Sequence, residues 1–475
     1  MTDLPRLGRR IQALRAERGL SQAAMAGRLG ISASYLSLLE NDRRPISAAL
    51  LLRLAREFDL DLRSLAQGED AALVAGVQEA FSDPLFQEDP PQEAQVRAFV
   101  AEHEGVARSL LRLHHAFRAR RGQAESLAGQ VVSGLEREMD RSRLSSEQVS
   151  DVIQRHGNHF PELEEEAERA WEEGTLDAED LFSSLSEFLQ ARHGVTVAVR
   201  RVGEMGGAVR RYDPATQELA VSETLRRGSR THQLAYQLAL LGSSDTLDRI
   251  ATSASLTSDE SRALCRVALA NYFAAAVMMP YARFLRAAED VRYDIELLGH
   301  RFRSSFEQVC HRLTTLRRRG AEGIPFHMVR VDIAGNISKK YSGTGIHFPR
   351  FAGLCPLWNV HAAFLQPGVI RTQLSQLPDG SAFFSVARTV QKHRGGFHAP
   401  RVLHAIALGC DVAHASGLVY AEGMDLGNLD AAVPVGITCR LCERMDCEAR
   451  AFPSLRRPLR VDEYVRSVSF YAPLE

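Results

Sequence analysis

Between Leu7 and Pro45 the chain sets apolar, capping and turn residues at a spacing that admits very few local folds. Leu7, Ile11 and Leu14 recur at helical intervals, and Gly19 stands where a helix C-cap belongs. Ser21 predicts the N-cap of a second short helix, 22–29, and Gly30 makes the tight turn after it. Ser32 then caps a third helix that runs through Tyr35, Leu36 and Leu39. Helix, tight turn and helix within a trihelical core is the arrangement that sets its last helix in a DNA major groove.

The charge distribution agrees with a small basic head on a larger body. Formal net charge is −1, so no global field draws the chain onto nucleic acid. Residues 1–66, however, carry 11 Arg against 7 acids, while Pro161 to Asp180 holds ten acids and one Arg. With 475 residues there is room for two to four domains. No signal peptide and no apolar run near ~18–20 residues is evident, so the expectation is a soluble cytoplasmic protein with no membrane partner. Seven Cys, clustered toward the C-terminus, point to metal or redox chemistry and away from a secreted disulfide framework.

Periodicity and breakers divide the chain into a helical head (1–68), a helical linker region (69–185), an α+β body (186–320) and a second α+β domain (321–475). The expected fold class is mainly α with α+β. In the head, Ala33, Ser34 and Ser37 lie on the outward face of the third helix and are the candidates for base edges. Gln22, Tyr35, Asn41, Arg43 and Arg44, with Ser32 at the cap, are the candidates for the phosphate backbone. The stretches Gly19-Leu20-Ser21-Gln22, Leu29-Gly30-Ile31-Ser32 and Tyr35-Leu36-Ser37, followed by Glu40-Asn41, resemble the lambda-repressor-like (XRE) family. That resemblance implies binding to double-stranded promoter DNA as a homodimer on inverted half-sites.

His232-Gln233-Leu234-Ala235-Tyr236 on one predicted helix, and Ala270 to Pro280 on a later one, resemble the ImmA/IrrE-like zinc metallopeptidase domain. That chemistry needs two His four residues apart, a Glu after the first and an acid from the later helix. Here the Glu position is Gln233, the second His position is Tyr236, and no acid occurs from Ser261 to Pro280. The expectation is a degenerate, zincin-like body with no catalytic residues.

Cys439, Cys442 and Cys447 place three thiols within nine residues, a spacing that lets one short turn aim them at one point. Arg440, Arg444 and Arg450 nearby favour thiolate over thiol. Cys410 is the expected fourth ligand and Cys355 the fallback, while Cys265 and Cys310 read as core. Thiolates of this kind suit a [4Fe–4S] cluster or Zn²⁺.

The whole chain resembles the short-chain fatty acyl transcriptional regulator family. Its distinctive stretches are Gly353-Leu354-Cys355-Pro356-Leu357-Trp358-Asn359-Val360-His361, Gly409-Cys410-Asp411, and Cys439 through Pro453. The resemblance implies control of propionate, acetate and related acyl-CoA metabolism, with acyl-CoA as effector and an iron–sulfur cluster at these cysteines. From the residues themselves, Lys339 and Lys340 form a pair of cations after a Gly/Asn turn, in a chain with 55 Arg and only three Lys. Such a pair suits a phosphate of coenzyme A, with Arg350, Trp358 and Arg388 as further charge and stacking face; a solvated strand end and a core Trp is the competing reading. Two other functions stay open at this point: a metal-dependent peptidase regulator of the ImmA type, and a DNA-binding protein with a purely structural zinc site.

Overall fold

The computed structural model describes residues 20–40, 69–81, 91–114, 145–254, 256–349, 353–392 and 396–454, with single positions between 11 and 58 and at 469. They fall into two compact units, Met1–Gly122 and Gln123–Glu475. In the first unit the capping pattern forms as the sequence predicts. Ser21 caps α1 (Gln22–Leu29) by accepting from the Ala24 N–H at 3.2 Å, and Gly30 closes it in the left-handed region at φ +63°. The Ser32 hydroxyl accepts from the Tyr35 N–H at 3.1 Å and starts α2 (Ala33–Glu40). Met25, Leu29, Leu36 and Leu39 bury against Ile11, Leu14, Leu54 and Phe58 in one small core. Two further helices, α3 (Glu69–Phe81) and α4 (Glu93–Glu102), share a separate core through Val77, Val96 and Val100.

The second unit begins with a helical layer: α5 (Pro161–Glu173) and α6 (Leu181–His193). A three-stranded sheet follows, β1 (Thr196–Arg200), β2 (Arg210–Asp213) and β3 (Glu218–Ser222), in the order β1-β3-β2 with β1 and β3 parallel. Next come α7 (Arg227–Gly242), α8 (Ser244–Ser253) and the long α9 (Asp259–Met278). Leu234, Leu238, Leu269 and Phe273 of α7 and α9 join Leu163, Leu185 and Leu219 in one core. Among the described residues no single helix is long and apolar enough to cross a membrane; the apolar pair formed by α9 and α10 (Tyr281–Asp290) is bent by 65° and contributes Phe273, Tyr281 and Phe284 to the interior.

Two short helices, α11 (Ile295–Arg301) and α12 (Phe306–Leu313), lead into a six-stranded sheet. Its strands are β4 (Phe326–Asp332), β5 (Ile337–Ser342), β6 (Arg371–Gln376), β7 (Ala382–Lys392), β8 (Val402–Asp411) and β9 (Val433–Pro434). The order is β5-β4-β8-β7-β6-β9, antiparallel except for the β6–β9 pair. Strand alternation gives this sheet two cores. Ile406, Leu408 and Cys410 of β8 pack with Phe284, Leu298 and Leu313 on the helical side. Ala405 and Ala407 pack with Cys355, Trp358 and Val360 on the other, where the short helix α13 (Asn359–Ala362) lies.

A buried ion pair ties α5 to α12. Arg312 and Glu164 are 0% and 1% exposed. Arg312 grips both carboxylate oxygens, its Nη2 at 2.8 Å, and its Nε donates to the Met279 carbonyl at 2.9 Å. Tyr272 of α9 donates to the same carboxylate. Burial alone pushes the Glu164 carboxyl up, but Arg312 and these donors outweigh it and hold it below the usual carboxylate range.

Candidate DNA-binding head and thiol site

The outward face of α2 presents Ala33 and Ser34 to solvent, with Tyr35 and Ser37 half-buried beside them. Arg44 is exposed, its guanidinium 5.9 Å from the centre of the Tyr35 ring. Ser32 serves the cap already described. Asn41 and Arg43 lie outside the described residues. Gln22 differs from expectation: its side-chain amide donates to Glu40 Oε2 at 2.7 Å instead of standing free for phosphate. Arg15 donates to the same buried carboxylate at 2.6 and 3.1 Å. The reason is that Glu40, 2% exposed, needs partners inside the head, and Gln22 is within reach. The amides of the first turn of α1 remain the group there that suits a phosphate.

In the middle of the chain the peptidase-like helix is α7, and the place of its metal is taken by cations. The Arg210 guanidinium lies 3.9 Å over the Tyr236 ring and donates to Gln237 at 3.3 Å. Burial, then the charges of Lys339 and Arg210, depresses His232 to about 4. The same burial and the charge of Lys339 hold His311 at about 3. Glu307 faces both histidines as well, but its carboxylate is paired with Arg330 and with Lys339 at 3.2 Å, and α7 itself carries Gln233 and Tyr236 where the metallopeptidase pattern needs the Glu and the second His.

The C-terminal thiols gather on the α13 side of the six-stranded sheet. Cys355, Cys439 and Cys442 are buried and Cys447 is half-buried. Burial raises both Cys355 and Cys447, and each is raised further by the negative charge that Cys439 and Cys442 would carry beside it. The Ala451 N–H donates to the Cys439 sulfur at 3.5 Å, and the backbone amides of Gly436 and Leu357 beside Cys355, and of Ala449 beside Cys447, partly offset the rise. Arg450, 5% exposed, donates to the carbonyls of Cys439 and Cys442, each at 3.0 Å, and to that of Arg444. Gly436 is required by the packing: a Cβ there would fall 2.9 Å from the Cys442 sulfur. Sequence reasoning passed over Gly436, because a lone Gly three residues before a Cys is a weak signal.

Cys410 does not belong to this group. It sits on the opposite face of β8, in the helical-side core, where burial pushes its thiol up to about 12. The fallback residue, Cys355, instead lies within electrostatic reach of Cys439 and Cys442. Four thiols, backbone amides beside three of them and a buried guanidinium form a donor set that fits a thiolate-held iron–sulfur group. Among the described residues no three His, Cys, Asp or Glu side chains stand close enough to hold one metal ion.

The expected phosphate-binding group is not assembled. Lys340 is held between both oxygens of Glu147, at 2.9 and 3.1 Å. Lys339 pairs with Glu307 at 3.2 Å and Arg388 with Glu296 at 2.8 Å. Trp358 is 4% exposed and donates its indole N–H to the Gly436 carbonyl at 2.8 Å, so it has no free face for an adenine. Each cation had a carboxylate on a packed helix, which strand spacing alone does not reveal. Arg350 lies outside the described residues.

The comparisons with known proteins cover the same three parts. A helix-turn-helix family model matches residues 11–65, the IrrE N-terminal-like domain 190–314, and the C-terminal domain of short-chain fatty acyl coenzyme A regulators 315–471. The HTH-type transcriptional regulator PrpR of Mycobacterium tuberculosis is 42% identical over 98% of this chain and 96% of its own length. RamB of the same species, also an HTH-type transcriptional regulator, is 40% identical over 98% of both chains. The propionyl-CoA carboxylase regulator of Cereibacter sphaeroides is 40% identical over 96% of both. A solved Mycobacterium tuberculosis transcriptional regulator superposes with a TM-score of 0.67 at 44% identity, over 69% of this chain and 99% of the other. With a helix-turn-helix head and relatives named as transcriptional regulators along nearly its whole length, the chain belongs to the family of helix-turn-helix short-chain fatty acyl coenzyme A regulators.

Proposed function

We propose that the protein binds promoter DNA of short-chain acyl-CoA metabolism as a homodimer in the cytoplasm, and that its C-terminal domain reports acyl-CoA and the state of an iron–sulfur cluster. The observation that carries the cluster is the gathering of Cys355, Cys439, Cys442 and Cys447 around amide donors and Arg450. Those four residues would hold the group, which would supply a redox- and oxygen-sensitive centre at one end of the sheet. The chain's own part is to bury the sulfurs, donate N–H groups to them and offset their charge. The name of the C-terminal family supports acyl-CoA as the effector.

In the head, Ser34 and Ser37 stand on the face of α2 that would enter the groove, with Ala33 beside them and Arg44 at its edge. An effector acts on such a reader by changing the relation of two heads to two half-sites. The test is fluorescence anisotropy of the full chain on a fragment of its own upstream region, without oxygen, with and without propionyl-CoA. A shift in affinity of about fivefold or more, the lower range of allosteric coupling, is expected. Equal affinity in both conditions overturns the effector reading.

A further inference from the structure

Cys355 reaches the thiol group from a different stretch of chain than the other three. It lies just before α13, whereas Cys439, Cys442 and Cys447 follow β9. Gly436 and Ile437 join the two stretches. The Cys355 N–H donates to the Ile437 carbonyl at 3.0 Å, and the Gly436 amide lies beside the Cys355 sulfur. Gly436 also packs against Cys442, so closely that a Cβ would fall 2.9 Å from that sulfur and 3.0 Å from the Cys442 Cβ. The spacing between Cys355 and Cys442 therefore depends on where Gly436 is held.

Trp358 holds it. Its indole Nε1 donates to the Gly436 carbonyl at 2.8 Å, and its backbone N–H donates to the Cys355 carbonyl at 3.2 Å. One residue thus bonds to both sides of the junction. The indole is fixed in turn by His327 and Phe348, which meet it edge-on with ring centres 6.0 and 5.9 Å away. Both stretches are moored to β6 as well: Gln373 donates to the Leu357 carbonyl at 2.8 Å, and the Val435 N–H to the Gln376 carbonyl at 3.0 Å. The Trp358–Gly436 bond closes the gap between them. If filling space were its whole task a Phe would serve, as Phe383 does in the same core. With Trp358 4% and Cys355 5% exposed, little water is at hand to replace the indole N–H.

We propose that Trp358 is a positioning residue for the thiol site: its indole N–H sets Cys355 against Cys442 and keeps the Cys355 sulfur in place as a thiolate ligand for an iron–sulfur group. Partners one step behind the ligands act in this way, fixing the orientation in which a ligand binds. The proposal rests on the four thiols being the ligands of that group, and its test separates the two.

The full chain is prepared with Trp358 replaced by benzothienylalanine, which exchanges the indole N–H for sulfur and keeps the shape of the ring, and separately as Trp358→Phe. Thermal melts check folding. Two rates are read without oxygen: alkylation of each cysteine by iodoacetamide in cluster-free chain, followed by mass spectrometry, and loss of iron to a chelator from the chain as purified. In the benzothienylalanine chain Cys355 is expected to be alkylated about tenfold faster or more, the worth of one buried hydrogen bond. Cys310, in the helical-side core, should keep its natural rate. Iron should be lost about tenfold faster. Trp358→Phe should change both rates in the same direction, and if it does not fold the benzothienylalanine chain decides alone. Equal alkylation of Cys355 in the natural and benzothienylalanine chains overturns the proposal. A rise shared by Cys355 and Cys310 overturns it too, since that marks a general loosening. A natural chain that carries no iron removes the cluster, while the alkylation rates still decide whether Trp358 positions Cys355.

Discussion

Arg450 donates to the backbone carbonyl of Cys442 at 3.0 Å, and through the same guanidinium to that of Cys439. One buried cation thus fixes the turn that carries both of these thiols. Replacing it with Ala would take the Arg450 donors from the carbonyls of Cys442 and Cys439, of which the second keeps only the Cys442 N–H at 3.4 Å. Arg450→Ala is expected to destabilise the C-terminal domain by about 2–3 kcal/mol, read by urea unfolding of the full chain through Trp fluorescence. Arg450→Lys, with fewer and differently spread donors, should recover only part of that.

His327 of β4 lies wholly inside the sheet, among Phe348, Trp358 and Phe383. Its Nδ1 meets the Thr344 hydroxyl at 3.0 Å and its Nε2 has no partner. Burial depresses it to about 3. The unfolded chain takes up that proton near pH 6.5, so stability is full above 6.5 and falls as the pH drops from there toward about 3. The slope from this one group is about 1.4 kcal/mol per pH unit. His327→Gln should flatten the acid limb of stability against pH; an unchanged limb would show that other groups set it.

Glu164 and Arg312 offer a second test of the interior. Glu164→Gln removes the charge and leaves Arg312 buried without its counterion, at an expected cost of about 3–5 kcal/mol in the unfolding of the second unit. Because the folded carboxyl lies below its unfolded value, its contribution is present above about pH 4.5 and lost as the pH falls through the folded value. The Gln variant should lack that acid-dependent part. A variant as stable as the natural chain would mean that the pair does not hold α5 to α12.

Much of this was readable from residue order. Ser21 and Ser32 act on amides three residues ahead and Gly30 on carbonyls three and four residues back, so the head could be read without knowing what packs on it. Gln233 and Tyr236 likewise announced the lost metal site by occupying two of its positions. The fourth thiol was not readable in that way. Cys410 is nearer in sequence to Cys439 than Cys355 is, yet the two-residue period of β8 turns it to the helical face. Gly409-Cys410 then has a structural explanation: a Cβ on Gly409 would fall 2.5 Å from His327 Nε2. Lys339 and Lys340 failed as phosphate ligands because Glu307 and Glu147, distant in sequence, arrive by tertiary packing.

The thiol assignment is the claim on which the sensing account turns, and it is tested by iron and sulfide content. The natural chain, Cys355→Ser and Cys410→Ser would be purified without oxygen and assayed with their visible spectra. About four irons and four sulfides per chain are expected in the natural protein and in Cys410→Ser, with loss of both in Cys355→Ser. Iron retained by Cys355→Ser and lost from Cys410→Ser would contradict the assignment, and a colourless natural chain carrying one zinc would contradict the cluster itself.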